Sequence, residues 1–146
     1  MLSALVWFRR DLRDYDHAAL YNALKQFSQV YCAFVFDTAI LDKLQDKEDR
    51  RVEFIWESVL ELKTALQHQG GDLIVLHGQA SQLIPQLALK LKVSAVYANR
   101  DYEPAAISRD QAVAKQLAEH GIQFHQYKDQ VIFEQDEILS QAGKPY

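Results

Sequence analysis

Apolar residues along this chain fall into two kinds of segment. Short unbroken runs occur at Leu5-Val6-Trp7-Phe8, Val30-Tyr31-Cys32-Ala33-Phe34-Val35-Phe36, Leu73-Ile74-Val75-Leu76 and Val93-Ser94-Ala95-Val96-Tyr97-Ala98. Each is read as a strand; the second run lacks apolar/polar alternation and is rich in β-formers, which predicts a strand covered on both faces. Ile122-Gln123-Phe124-His125-Gln126 reads as a weaker fifth strand. Between the runs, apolar residues recur at helical spacing. Ala18, Leu20, Ala23, Leu24 and Phe27 follow a candidate N-cap at Asp16, and Val52, Ile55, Trp56, Val59, Leu60, Leu62 and Leu66 mark a long stripe that Gly70-Gly71 closes. A third helix from about Ser81 to Leu91 carries Leu83, Ile84, Leu87 and Leu91, and a fourth runs from Pro104 through Ile107, Val113, Leu117 and Ala118 to Gly121. Residues 37–50 read as a charged surface loop with a short helical turn, and Asp129 to Tyr146 as loop with one turn at Asp136 to Leu139.

Strands and helices in strict alternation, joined by connections too long for hairpins, predict an α/β fold. The expected architecture is a Rossmann-like five-stranded parallel sheet with helices on both faces. Such sheets bind ligands outside the carboxyl ends of their strands, where the strand order reverses. Here those ends lead into Arg9 to Arg13, Phe36 to Asp37, His77 to Gln79 and Asn99 to Glu103, so a functional site is expected from these four segments.

Composition narrows the choice of function. The 146 residues are 49% hydrophobic and 25% charged, a balance that fits one folded domain rather than a disordered chain. A net charge of −4 speaks against a large basic face for gripping phosphates. Cys32 is the only cysteine, which leaves no disulfide framework or cysteine-rich metal site and fits a reduced, cytoplasmic setting. The opening segment has no basic region before its apolar run, unlike a signal peptide, and no stretch has the length of a membrane span. Neither a glycine-rich dinucleotide fingerprint nor a Walker loop appears. The five histidines show no ligand spacing, so no metal is expected, and Ser81 and Ser108 have no evident His and acid partners.

The loop after the first strand, Arg9-Arg10-Asp11-Leu12-Arg13, admits two readings. It is either a solvated turn with Asp11 paired locally, or a buried arginine–carboxylate network organising the crevice. Val6-Trp7-Phe8-Arg9-Arg10-Asp11-Leu12-Arg13 followed by Asp16 resembles the opening motif of the DNA photolyase/cryptochrome family. Val35-Phe36-Asp37, Arg51, His77-Gly78, Val96-Tyr97 through Glu103-Pro104, Arg109-Asp110 and Gly143-Lys144-Pro145-Tyr146 extend the resemblance over essentially the whole chain, in the same order and at compatible spacing.

The resemblance implies an N-terminal antenna-chromophore domain over residues 1–130 and, over 131–146, the start of a linker to a helical FAD domain outside this chain. The parent protein would be a deoxyribodipyrimidine photolyase, a carbon–carbon lyase. Reduced FAD would split cyclobutane pyrimidine dimers with light gathered by the antenna, and this fragment alone would be inactive. Its implied partners are the antenna molecule, the protein's own helical domain and, through the full-length protein only, damaged DNA; no membrane is implied. Folate-binding members carry an Asn-Glu pair where this chain has Ala105 and Ala106, so an 8-hydroxy-5-deazaflavin or FMN is implied over methenyltetrahydrofolate. The same likeness nominates Arg9, Phe34, Val35, Phe36, Asp37, Lys47, Arg51, Asp101 and Glu103 as cofactor contacts, with no catalytic or metal residues. Plainer roles stay open for each: core for Phe34 and Phe36, a turn cap for Asp37, solvated charge for Lys47 and Arg51, and helix N-terminal charge for Asp101 and Glu103. A cryptochrome-type photoreceptor, a stand-alone nucleotide-binding module and a purely structural domain are the alternatives.

Overall fold

A computed structural model describes residues 2–9, 11–12, 17–37 and 49–128, the side chains of 49–53 excepted. In chain order the elements are β1 (Ser3–Phe8), α1 (Ala18–Gln26), β2 (Gln29–Asp37), α2 (Asp49–His68), β3 (Ile74–Gly78), α3 (Ala80–Leu91), β4 (Ala95–Asn99), α4 (Pro104–Glu119) and β5 (Gln123–Tyr127). The strands form one parallel sheet in the order β3-β2-β1-β4-β5, the five-stranded architecture expected. β1 is central and all six of its residues are buried, which explains why it reads as a continuous apolar run.

Alternation along each strand sorts the core into two layers. Val6, Phe8, Phe34 and Phe36 pack with Leu20 and Ala23 of α1 and Val59, Leu62 and Leu66 of α2. Leu5, Trp7, Ala33 and Val35 pack with Ile84 and Ala88 of α3 and Val113 and Leu117 of α4. Because α1 and α2 cover one face and α3 and α4 the other, the chain reverses its direction of winding between β1 and β4.

Several expectations shift. The buried stripe of α2 is narrower than its apolar content implied, since Trp56 and Leu60 remain 46% and 43% exposed. Ile55, Val59, Leu62 and Leu66 follow the strict helical stripe, and Trp56 and Leu60 flank it. Leu24 is likewise exposed on α1. The α1 N-cap is His17, whose ring nitrogen accepts from the Leu20 N–H at 3.1 Å; Asp16 lies outside the described residues, as do the 38–48 loop and everything from 129 onward, including the proposed linker. Gly70 does end α2, with φ +89, and the Gly71 N–H donates to Leu66 O at 2.8 Å.

Candidate functional site

The carboxyl ends of β1 and β4, where the winding reverses, are joined by a buried polar network. Asn99, the last residue of β4, accepts from the Ala19 N–H through Oδ1 at 2.9 Å and donates through Nδ2 to Asp11 Oδ2 at 2.8 Å. One short side chain thereby ties the sheet to the loop after β1 and to the start of α1. His17 completes the knot: its Nδ1 accepts at the helix cap, which leaves Nε2 as the nitrogen that donates to Asp11 Oδ2, 2.8 Å away. Burial pushes the Asp11 carboxyl up. The His17 ring, with its N–H and its electrostatic pull, together with the Arg9 backbone N–H at 2.9 Å and the Arg9 guanidinium, outweighs that effect and brings the pKa down to about 2.

Arg9 turns to the α3/α4 face. Its guanidinium donates through Nη1 to Asp110 Oδ1 at 2.9 Å and through Nη2 to the Asn99 carbonyl, and it lies over the Trp7 ring, 4.5 Å from the centroid. Asp110, in α4, also receives Gln126 Nε2 at 3.1 Å and Arg109 Nε at 3.3 Å. Arg109 reaches past the end of β1 toward Asp37 at the end of β2, with Nη1 at 3.7 Å from its carboxylate, and it too lies over the Trp7 ring, at 5.0 Å. Its Nη2 is buried and has no hydrogen-bond partner among the described residues.

Thus Asp11 belongs to a buried polar network and not to a solvated turn, and among the described residues its side chain pairs with His17 and Asn99. Among the nominated contacts, Arg9, Val35 and Asp37 face the α3/α4 side, whereas Phe34 and Phe36 face α1 and α2. The four consecutive nominated residues of β2 therefore flank that strand from both sides and do not form one wall. Phe36 packs at a tilt of 39° against Trp56 of α2, ring centroids 5.5 Å apart. Asp101 and Glu103 precede α4; Asp101 Oδ1 accepts from the Glu103 N–H at 3.2 Å, and Glu103 is the N-cap without a side-chain cap bond. Arg51 belongs to the first turn of α2, but its side chain, like the whole of Lys47, lies outside the described residues. Of the four strand-end segments, His77 to Gln79 contributes no side-chain hydrogen bond to the network. Asp110, Arg109 and Gln126 do, and none of them directly follows a strand end in the way the sequence argument required. Among the described residues no group of histidine, cysteine and carboxylate side chains is arranged to hold a metal, and no helix is long and apolar enough to cross a membrane.

What the arrangement can do chemically is bind and orient. It presents the buried Phe36 ring of β2 packed against the exposed Trp56 of α2, acidic residues before α4 and, among the described residues, one buried guanidinium donor lacking an acceptor. Among the described residues, the His17–Asp11 pair spends the other ring nitrogen on a helix cap, so it does not activate a nucleophile.

The sequence profile of DNA photolyase matches residues 4–146. A deoxyribodipyrimidine photo-lyase from Synechococcus sp. is 40% identical over 142 residues, covering 97% of this chain and 29% of that protein. The crystal structure of an archaeal photolyase from Sulfolobus tokodaii, described with two FAD molecules and as implying a novel light-harvesting cofactor, superposes with a TM-score of 0.83 at 33% identity, covering 95% of this chain and 32% of that one. A Synechocystis sp. cryptochrome structure gives a TM-score of 0.77 at 28% identity, covering 88% and 27%. The chain spans half or less of the length of the curated relatives it matches.

Proposed function

Because this chain belongs to the DNA photolyase family, we propose that it is the N-terminal light-harvesting domain of a deoxyribodipyrimidine photolyase. Its role is to hold a flat heteroaromatic antenna at the carboxyl ends of β1, β2 and β4. The splitting of pyrimidine dimers, the FAD that drives it and the contact with damaged DNA belong to the region that the relatives have beyond this length. When bound, the antenna supplies light absorption and transfers excitation energy; the protein supplies placement.

The single observation that carries this reading is Arg109 Nη2, a buried donor without a hydrogen-bond partner among the described residues, beside the strand ends where the winding reverses. A buried unsatisfied donor disfavours the folded state unless a bound group completes it. A flavin or deazaflavin ring edge, lined with carbonyl oxygens and ring nitrogens, has the acceptors to do so. On the α3/α4 side of β2 Asp37, with Asp101 and Glu103 before α4, offers acceptors for the ring's N–H and hydroxyl groups, while the tilted Phe36–Trp56 pair offers apolar surface on the opposite side of that strand. Arg9 supports this arrangement from beneath, since its guanidinium is committed to Asp110 and Asn99.

Ala105 and Ala106 stand where folate-binding members have an amide and a carboxylate, and the Sulfolobus photolyase is described with a second FAD. Both favour an 8-hydroxy-5-deazaflavin or a flavin over methenyltetrahydrofolate. The cryptochrome reading uses the same domain and is supported by the Synechocystis structure. An action spectrum of the protein that carries this domain tests the choice. Repair of cyclobutane dimers with efficiency following a deazaflavin or flavin band beyond that of reduced FAD is the expected outcome. Blue-light photochemistry without repair selects the cryptochrome, and an action spectrum tracking reduced FAD alone contradicts the antenna role.

A further inference from the structure

Trp7 is 1% exposed at the end of the central strand, and two guanidinium groups lie over its ring. The two are held very differently. Arg9 has a 2.9 Å bond to Asp110 and a second to the Asn99 carbonyl, so its position is fixed without the indole. Among the described residues Arg109 has only long polar restraints. It lies 3.7 Å from Asp37, and its Nε is 3.3 Å from the same Asp110 oxygen that Arg9 already occupies at shorter range. The remaining nitrogen, Nη2, has no partner among the described residues. A long, rotatable side chain with such loose ties loses much of its binding strength to disorder unless some surface confines it. The flat, immobile indole is that surface, and stacking on an aromatic face is a geometry guanidinium groups favour.

We propose that Trp7 is a positioning residue: its ring supports the Arg109 guanidinium so that Nη2 is presented to the bound chromophore. The proposal rests on the antenna reading for the identity of the ligand, but its core, that Trp7 fixes Arg109, stands apart from it. Trp7 itself makes no contact with the ligand in this account.

The test compares wild type, Trp7→Phe, Trp7→Met, Arg109→Met and the double variant Trp7→Met/Arg109→Met of the 146-residue chain. Phenylalanine keeps an aromatic face, and methionine fills the core without one. Titration with FMN is followed by its fluorescence, and the Arg109 Nε–H resonance by side-chain NMR. The expected result is FMN affinity within about twofold of wild type for Trp7→Phe and weakened about tenfold for Trp7→Met, with no further loss when Trp7→Met is added to Arg109→Met, as coupled residues require. The Arg109 resonance should be shifted by the ring current in wild type and Trp7→Phe and revert in Trp7→Met. Equal weakening by Trp7→Met with and without Arg109, or an Arg109 resonance indifferent to Trp7→Met, overturns the proposal. If wild type binds neither FMN nor a deazaflavin, the antenna reading fails, and the Arg109 resonance alone decides the role of Trp7.

Discussion

The guanidinium of Arg9 and the carboxylate of Asp110 lie 2.9 Å apart across 101 residues of sequence, with side chains only 7% and 4% exposed. This pair locks the end of the central strand to the helix that carries Arg109, and it does so without facing water. The two members are not equivalent, because Asp110 also serves Arg109 and Gln126.

Asp110→Asn should therefore be the more damaging change. It removes the Arg9 guanidinium's buried ion-pair partner and leaves Arg109 only its 3.7 Å approach to Asp37, for which a loss of about 3–5 kcal/mol is expected. Arg9→Met leaves Asp110 with its other donors and should cost about 2 kcal/mol. Urea denaturation of both variants checks the order; equal losses would show that the shared carboxylate is not the hub.

The depressed pKa of Asp11 makes the fold acid-sensitive in a defined window. The carboxylate is stabilised in the folded state, so its contribution is fully present above the unfolded value of 3.8 and is lost as pH falls through about 2. The interval corresponds to roughly 2 kcal/mol. Asp11→Asn should flatten stability between pH 4 and 2 while lowering it at neutral pH, measured by thermal melts across the range.

How far the sequence foretold this arrangement depends on whether the signal was local. The strands were legible because β1 and β4 are covered on both faces and so consist of unbroken apolar runs. The α2 stripe was drawn too wide because Trp56 and Leu60 are apolar, whereas burial follows the angular position of Ile55, Val59, Leu62 and Leu66. At the site, Arg9 and the strand ends were legible from topology. The partner of Arg9 was not, because nothing within α4 marks Asp110 as facing β1; Arg109-Asp110 drew notice only through family likeness. The split of Phe34 and Phe36 from Val35 and Asp37 follows from strand alternation and was readable in principle. His17 gave no signal, since a helix cap by an imidazole has no distinctive spacing.

Lys92 ends α3 in the left-handed conformation, φ 59, where glycine is normally preferred. Relief of the side-chain strain, less the backbone entropy of glycine, predicts that Lys92→Gly stabilises the chain by roughly 0.5–1 kcal/mol. Chemical denaturation reads this directly.

Burial pushes the Cys32 thiol up to about 12, and the residue is 8% exposed in the layer beneath α2. Its labelling by a thiol reagent at neutral pH should proceed only through unfolding, with a rate that rises with urea in step with the opening equilibrium. Rapid stoichiometric labelling of the folded chain would contradict the packing of β2.

The account stands or falls most directly on chromophore binding by the chain itself. Fluorescence titration with 8-hydroxy-5-deazaflavin, FMN and methenyltetrahydrofolate, repeated on Asp101→Ala and Arg109→Met, should show saturable binding of the first or second ligand, weaker or absent binding of the folate, and loss of affinity in both variants. Binding of none of the three, or tight binding indifferent to both substitutions, would contradict an antenna site at the ends of β1, β2 and β4.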